Sequence, residues 1–281
     1  MDTKKVAVTG IGVVSPAGIG KEDFSQAIFE GKPGIKTISL FESVEFKAKT
    51  AGEISDFKPQ KFLGDKGLRT LDRSTKLVSC AAKLALDDAG LEINPDNACD
   101  IGVVTGTTFG NLKSVCDFDR TAIIDGVQYV NPALFPNTVI NSPSSQISIK
   151  FGIKGFNATL ANGFSSGLDT VAYAADFIRL GRSRVVLAGS VEDLSPELFL
   201  GFYKLNLLSG CDGSGFELSC PFDRRRNGAV LGETAAILIL EDLESAVNRK
   251  AKIYGEVSGY ASNIKAKNSI ERSIEEALNN S

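Results

Sequence analysis

Two short stretches hold the residue types and spacings that could do chemistry. Residues 157–167 read NATLANGFSSG: a short apolar run, an Asn-Gly pair, then Ser165 and Ser166 at the head of a helical pattern. A strand, a tight glycine turn and a helix place the turn residue where backbone N–H groups and the positive end of the helix dipole converge. A cysteine so placed becomes a reactive thiolate. The residue there is Phe164, and a phenyl ring cannot act as a nucleophile. Ser165 and Ser166 are the nearest hydroxyls, but a serine nucleophile needs an adjacent base and the chain has no histidine. Both serines read more simply as helix-start residues. The second stretch is residues 220–241, CPFDRRRNGAVLGETAAILILE. Its Asp223, Arg224, Arg225 and Arg226 form a charged cluster ahead of an Asn227-Gly228 turn, and read as loop structure rather than as a binding patch. Glu233, just before an apolar strand, reads as a buried, hydrogen-bonded carboxylate rather than a catalyst.

The rest of the composition narrows the chemistry further. Five cysteines (80, 99, 116, 211 and 220) form no Cys-x-x-Cys pair, and without histidine there is no zinc-type constellation, so no metal is expected. Scattered, odd-numbered cysteines fit a reducing cytoplasm, and Cys116 and Cys220 read as small half-buried hydrophobes. GTTFG (106–110) and SGCDGSG (209–215) are glycine-rich but match no dinucleotide or phosphate-loop fingerprint, so no nucleotide cofactor is expected. A net charge of -3 gives no electrostatic case for nucleic acid or an anionic membrane surface. No apolar run approaches the ~20 residues that span a bilayer, and the opening MDTKKVAVTGIGVV reads as a first strand rather than a leader.

Positioning such residues requires a framework, and the 281 residues alternate short apolar runs with amphipathic stretches, the pattern of an α/β protein. Strands are expected at Val6–Val14, Ile101–Thr105, Asn157–Ala161, Arg184–Ala188, Ala235–Leu240 and Ile253–Tyr260. The run AAILIL (235–240) is apolar throughout, which implies cover on both faces. Helices are expected at Ser74–Ala89, stopped by Gly90, at Ser165–Leu180 and at Ser269–Leu278. Residues 111–156 are mixed, broken by Pro132, Pro136 and Pro143, and Ser209–Gly215 reads as a surface loop.

Taken with VAVTGIGVVSPAG (6–18), SLFESVEFKAKTAGEISDF (39–57), RTLDRSTKLVSCAAKLALDDAGL (69–91) and FPNTVINSPSSQISIKFGIKG (135–155), the two stretches resemble the first half of β-ketoacyl synthases. The resemblance covers essentially the whole chain. It implies a thiolase-like α/β fold of layered mixed sheets with helices, with the second half truncated. Residues 1–252 would be the N-terminal ketosynthase-like half, and residues 253–281 the first strand and helix of the C-terminal half.

In that family the nucleophilic cysteine stands directly before the Ser-Ser-Gly, where this chain has Phe164, and the family's histidines lie in the second half. The resemblance therefore implies a chain-length-factor-like member with no catalytic residue of its own. Phe109, Leu112, Cys116, Leu134, Phe135 and Phe164 become candidates for lining an acyl tunnel or a subunit interface. The implied partner is an active ketosynthase, in a heterodimer with the 157–161 strand at its interface, and acyl carrier protein is a second. No cofactor is implied. Two other readings remain: half of a split ketosynthase completed by another polypeptide, or a stand-alone homodimer that binds acyl chains or carrier protein. A half-sheet ending after one strand leaves an apolar surface and an unpaired edge for something to cover.

Overall fold

Glycine-punctuated and rich in valine, the first apolar run forms strand β1 (Val6–Ser15), which turns back through β2 (Gly18–Ile19) into helix α1 (Lys21–Phe29). A computed structural model describes residues 4–211, 213, 215–263 and 268–281 of the chain. A small hairpin of β3 (Lys36–Thr37) and β4 (Thr50–Ala51) and the short α2 (Gln60–Leu63) precede the long helix α3 (Arg73–Ala89). Asp72 caps α3 by accepting from the Thr75 amide at 2.9 Å, and Gly90 ends it at φ +58°. Strand β5 (Ile101–Gly106) leads to α4 (Leu112–Arg120), a 3-10 segment at Pro132–Thr138, α5 (Ser142–Phe151), β6 (Asn157–Leu160) and α6 (Ser166–Arg179). Then come β7 (Val185–Glu192), α7 (Pro196–Lys204), β8 (Thr234–Asp242), α8 (Leu243–Asn248), β9 (Gly255–Glu256) and α9 (Ser269–Asn279).

One mixed sheet organises these elements in the order β2-β1-β8-β7-β5-β6, with β9 added to β1. Strands β5, β6 and β7 are mutually parallel, and β8 runs antiparallel to both β7 and β1. Side-chain alternation sorts the core into two layers. Ile101, Val103, Leu187, Ile237 and Ile239 pack under α3 and α5, and Val104, Val186, Ala188 and Leu240 pack against Ala174, Ala175 and Ile178 of α6. A third cluster, around Phe199 and Leu194, lies with Phe41 and Phe46 beside α7. Helix α3 reaches the sheet closely because β1 offers glycines: a Cβ on Gly12 would stand 1.9 Å from the Ala81 carbonyl oxygen. Cover of AAILIL is complete on the α3 face only, since Ala236 on the opposite face is exposed.

Three further expectations change. The strand expected at Ile253–Tyr260 is confined to Gly255–Glu256, paired with Ala7 and Val8. Beyond Val8 the ladder of β1 is broken by a bulge at Thr9, and the Ile11 amide donates instead to Asp88 at 2.8 Å. After Glu256 the chain is held by Arg179, whose guanidinium donates to the Val257 and Ser258 carbonyls at 2.9 Å. Ser209–Gly215 is not a surface loop throughout: Ser209 and Gly210 are buried, Gly213 and Gly215 are exposed, and residues 212 and 214 lie outside the described residues. The mixed region 111–156 contains two regular helices, with Pro132 and Pro143 at helix starts, where a missing N–H costs nothing. No helix among the described residues is long and apolar enough to cross a membrane.

Candidate functional site

Strand β6 delivers the chain to Asn162, and Gly163, at φ +78°, supplies the left-handed turn. A 3-10 turn over Gly163–Ser165 then opens α6, so the strand–turn–helix elbow forms with the helix starting one residue later than its pattern indicated. Both serine hydroxyls are committed to holding it. Ser166 Oγ donates to the Gly163 carbonyl at 2.6 Å and accepts from the Asn162 amide at 2.9 Å. Ser165 Oγ and Asn162 Nδ2 donate to the same Asp169 oxygen, at 3.0 and 3.2 Å. Ser166 is spent on backbone groups of the turn, and Ser165 on an Asp169 oxygen that it shares with Asn162, so both serines hold the elbow in shape.

Phe164 rides at the crest of this turn, 84% exposed. Its ring meets two others edge-on: Phe109 at 6.1 Å and Phe202 at 6.5 Å between centroids, with Phe109 and Phe202 themselves 5.7 Å apart. Edge-to-face aromatic pairs contribute roughly 0.5–1.5 kcal/mol each beyond area burial. Phe202, on α7, was not singled out in the sequence. The signal was the aromatic run FLGFYK, in which Phe199 is buried in the third core cluster and Phe202 faces the elbow.

The loop carrying Phe109 is tied down by a carboxylate that sequence reasoning also missed. Strand β7 runs four residues beyond the expected Ala188 and ends at Glu192. Glu192 Oε1 accepts from Thr107 Oγ1 at 2.7 Å, from the Thr108 amide and from the Phe109 amide at 3.3 Å. Burial raises its pKa, and these donors oppose the shift. Thr108 Oγ1 in turn donates to the Gly163 carbonyl at 3.0 Å, which joins the Phe109 loop to the elbow.

The six candidate residues therefore divide. Phe109 and Phe164 come together at the elbow with Phe202. Leu112 and Cys116 lie half-buried on α4, and burial pushes the Cys116 thiol upward. Leu134 and Phe135 sit on the 3-10 segment, where Phe135 packs edge-on against Phe118 at 5.9 Å. Leu134 lines a separate cavity of about 480 Å³, bounded by the start of α3, α4, residues 129–137 and the segment after β7.

Other charged groups take structural roles. Glu233 is 0% exposed and is gripped by Arg73, with Nε to Oε2 and Nη2 to Oε1 both 2.6 Å, while the Ile54 amide donates to Oε1 at 2.7 Å. In the 223–226 cluster Arg225 is bidentate on Asp223, at 3.1 and 3.0 Å, which lowers the carboxyl's pKa. Arg226 donates to the Asp223 carbonyl at 3.0 Å, so the cluster closes on itself. Asn227-Gly228 makes a bend rather than a turn: Gly228 stands at φ +141°, and a Cβ there would meet the Leu208 backbone at 2.4 Å. Cys220 is half-buried.

Comparison with known proteins places this geometry in context. Residues 3–246 match the model of the β-ketoacyl synthase N-terminal domain family. The 3-oxoacyl-[acyl-carrier-protein] synthase 2 of Synechocystis sp. is 36% identical over 263 residues, which is 93% of this chain and 63% of that protein. The tetracenomycin polyketide synthase ketoacyl synthase alpha subunit of Streptomyces glaucescens is 35% identical over 267 residues, 92% of this chain and 62% of that one. Among solved structures, the ishigamide ketosynthase/chain length factor superposes with a TM-score of 0.89 at 28% identity, covering 99% of this chain and 70% of that one. A β-ketoacyl synthase from Burkholderia phymatum gives 0.87 at 25% identity, with the same coverage. The chain thus spans about 63% of the length of these curated relatives.

Proposed function

The chain belongs to the β-ketoacyl synthase family, and we propose that within it this polypeptide is a chain-length-factor-like subunit. It would pair with an active ketosynthase in type II fatty-acid or polyketide biosynthesis and close or shape that partner's acyl tunnel. The observation that carries the reading is Phe164 at the crest of the elbow, lying edge-on to Phe109 and Phe202. A thiol at this position would sit at a helix N-terminus, activated for acyl transfer. The phenyl ring leaves the scaffold and removes the nucleophile, while the aromatic trio adds apolar bulk where a relative would admit an acyl chain.

Support for pairing comes from the sheet edge. Among the described residues no strand covers the outer edge of β6, and exposed Ile140, Ile149, Phe164 and Leu168 flank it. An open edge with apolar neighbours invites strand pairing with a second subunit. Two homologous chains can keep a two-fold interface while one of them loses its chemistry. The structural relatives include a ketosynthase/chain length factor and a type II polyketide acyl-carrier protein in complex with its ketosynthase. Acyl carrier protein is accordingly the second proposed partner, and residues 253–281 are proposed to begin the second half of the fold.

The test is co-expression with a cysteine-containing ketosynthase from the same host, followed by light scattering on the purified species. A 1:1 heterodimer supports the reading, and a homodimer with no retained ketosynthase overturns it. Release of carbon dioxide from malonyl-carrier protein by the purified chain alone would also overturn it. A second reading, a ketosynthase half completed by another polypeptide, is favoured by one observation: Ile270, Ile274 and Leu278 form an exposed apolar stripe on α9.

A further inference from the structure

The cavity of about 480 Å³ beside α4 is distinct from the elbow, since none of Phe109, Phe164 and Phe202 lines it. Its size falls in the range of roughly 300–1,000 Å³ typical of small-molecule pockets. Phe41, Phe118, Leu134 and Leu194 give it apolar walls. Three carboxylates also line it: Asp117 pairs with Lys113, whereas Asp72 and Asp193 make no ion pair among the described residues.

No cation that shares the lining forms an ion pair with Asp72 or Asp193 among the described residues. Arg73 is bound bidentately to Glu233, and Lys113 pairs with Asp117 at 2.7 Å. Arg69 is exposed to solvent. Asp72 is occupied by the Thr75 amide at 2.9 Å and Ser114 Oγ at 3.2 Å. Asp193 is different: it is only 9% exposed, and Ser74 Oγ, at 2.9 Å from Oδ1, is its one side-chain donor among the described residues. A nearly buried carboxyl with acceptor capacity to spare, set in an apolar wall, favours an incoming hydrogen-bond donor over any acceptor or anion.

We propose that this cavity binds a small amphipathic molecule whose apolar body lies along Phe118 and Leu134 and whose amine or hydroxyl head donates to Asp193. Specificity follows from the same groups. A carboxylate-headed analogue of equal length would bring a third negative charge beside Asp72 and Asp193, and a plain hydrocarbon would leave Asp193 buried without its donor. The site is complete within this chain, so it does not depend on a ketosynthase partner.

The experiment uses the full chain alone, with 1-hexylamine, 1-hexanol and hexanoate as probes, and reads binding by saturation-transfer NMR with competition titration. The amine and the alcohol are expected to bind, and hexanoate to bind at least about tenfold more weakly than the amine. Asp193→Asn should remove the discrimination and bring amine and carboxylate within about threefold of each other. Thr121→Trp, which fills the cavity from the end of α4, should abolish binding of all three. Equal binding of hexanoate to the unaltered chain overturns the proposal, as does unchanged amine binding in Thr121→Trp. So does the absence of binding by both donors up to about 10 mM, the weak limit for a fragment-sized ligand.

Discussion

Replacing Phe164 by cysteine separates the geometry of the elbow from its chemistry. The ring is 84% exposed, so the loss of burial is slight, and the main cost is its two edge-to-face contacts with Phe109 and Phe202. At roughly 0.5–1.5 kcal/mol each, and less for an exposed ring, these put the destabilisation at about 1–2 kcal/mol. The new thiol would stand in the 3-10 turn at the head of the 14-residue α6. A helix N-terminus stabilises an anion by about 0.3–2 kcal/mol, and 1.36 kcal/mol is one pKa unit, so the thiol should fall from about 8.5 to between about 7 and 8.3. Asp169 opposes the shift, but its carboxylate is held by Ser165 and Asn162. The assay is the pH dependence of iodoacetamide alkylation at residue 164, followed by mass spectrometry with the exposed Cys99 as an internal reference for access. An apparent pKa at or above about 8.5 would show that the elbow no longer activates a thiol, and the reasoning from its geometry would fail. Reactivity without β-ketoacyl product is the expected outcome, since the chain supplies no histidine.

Four further outcomes follow from the same structure. Arg73→Met strands the fully buried Glu233 and should destabilise the fold by about 3–5 kcal/mol in urea unfolding; adding Glu233→Gln should restore part of that loss. Gly12→Ala drives a methyl group into the Ala81 carbonyl and should destabilise by at least about 1–3 kcal/mol, visible as a lowered Tm. Burial pushes Asp193 up to about 6, with Asp72 and Glu233 adding repulsion. Its folded pKa exceeds its unfolded value near 3.9, so its penalty grows as pH rises from about 4 to about 6; Asp193→Asn should gain up to about 2–3 kcal/mol over the unaltered chain by pH 7 and almost nothing at pH 4. Glu192→Ala releases the Thr107–Phe109 loop from its acceptor and should speed amide exchange at Thr108 and Phe109, whereas Glu192→Gln, which keeps a carbonyl oxygen, should do so less.

Much of the framework was legible because local and global signals agree in it. Helix α3 announces itself by apolar spacing and Gly90, and β8 by an unbroken apolar run. The elbow was readable from Asn162-Gly163 followed by two serines. What escaped notice has particular causes. Strand β7 seemed to stop at Ala188 because Gly189 follows, yet Gly189 is there to let β8 approach: a Cβ would stand 1.9 Å from the Ala236 carbonyl oxygen. Glu192, four residues beyond the apparent end, was lost with it. Helix α7 carried a capping signal, Ser195 accepting from the Leu198 amide at 3.2 Å with Pro196 following, but the aromatic run after it gave no clean period. The cavity beside α4 joins segments from residue 40 to residue 196, and no single stretch of sequence displays it.

The exposed apolar surface divides in a way that bears on where a partner docks. One group, Ile140, Ile149, Phe164 and Leu168, surrounds the open edge of β6. The other, Ile270, Ile274 and Leu278, lies on α9, which packs near Gly259, just after the strand added to β1. From β1 to β6 the sheet crosses β8, β7 and β5, four steps of about 4.8 Å, or roughly 19 Å. Cover at the β6 edge and cover at α9 are therefore separate contacts, which can be read separately. Hydrogen exchange on the complex with a ketosynthase tests this separation. Pairing across the two-fold axis should protect the amides of Asn157–Leu160 and leave Ser269–Asn279 exchanging as in the free chain. Protection at α9 without protection at β6 would mean that the partner docks at α9 rather than across the β6 edge, and the heterodimer reading would give way to the split-enzyme one.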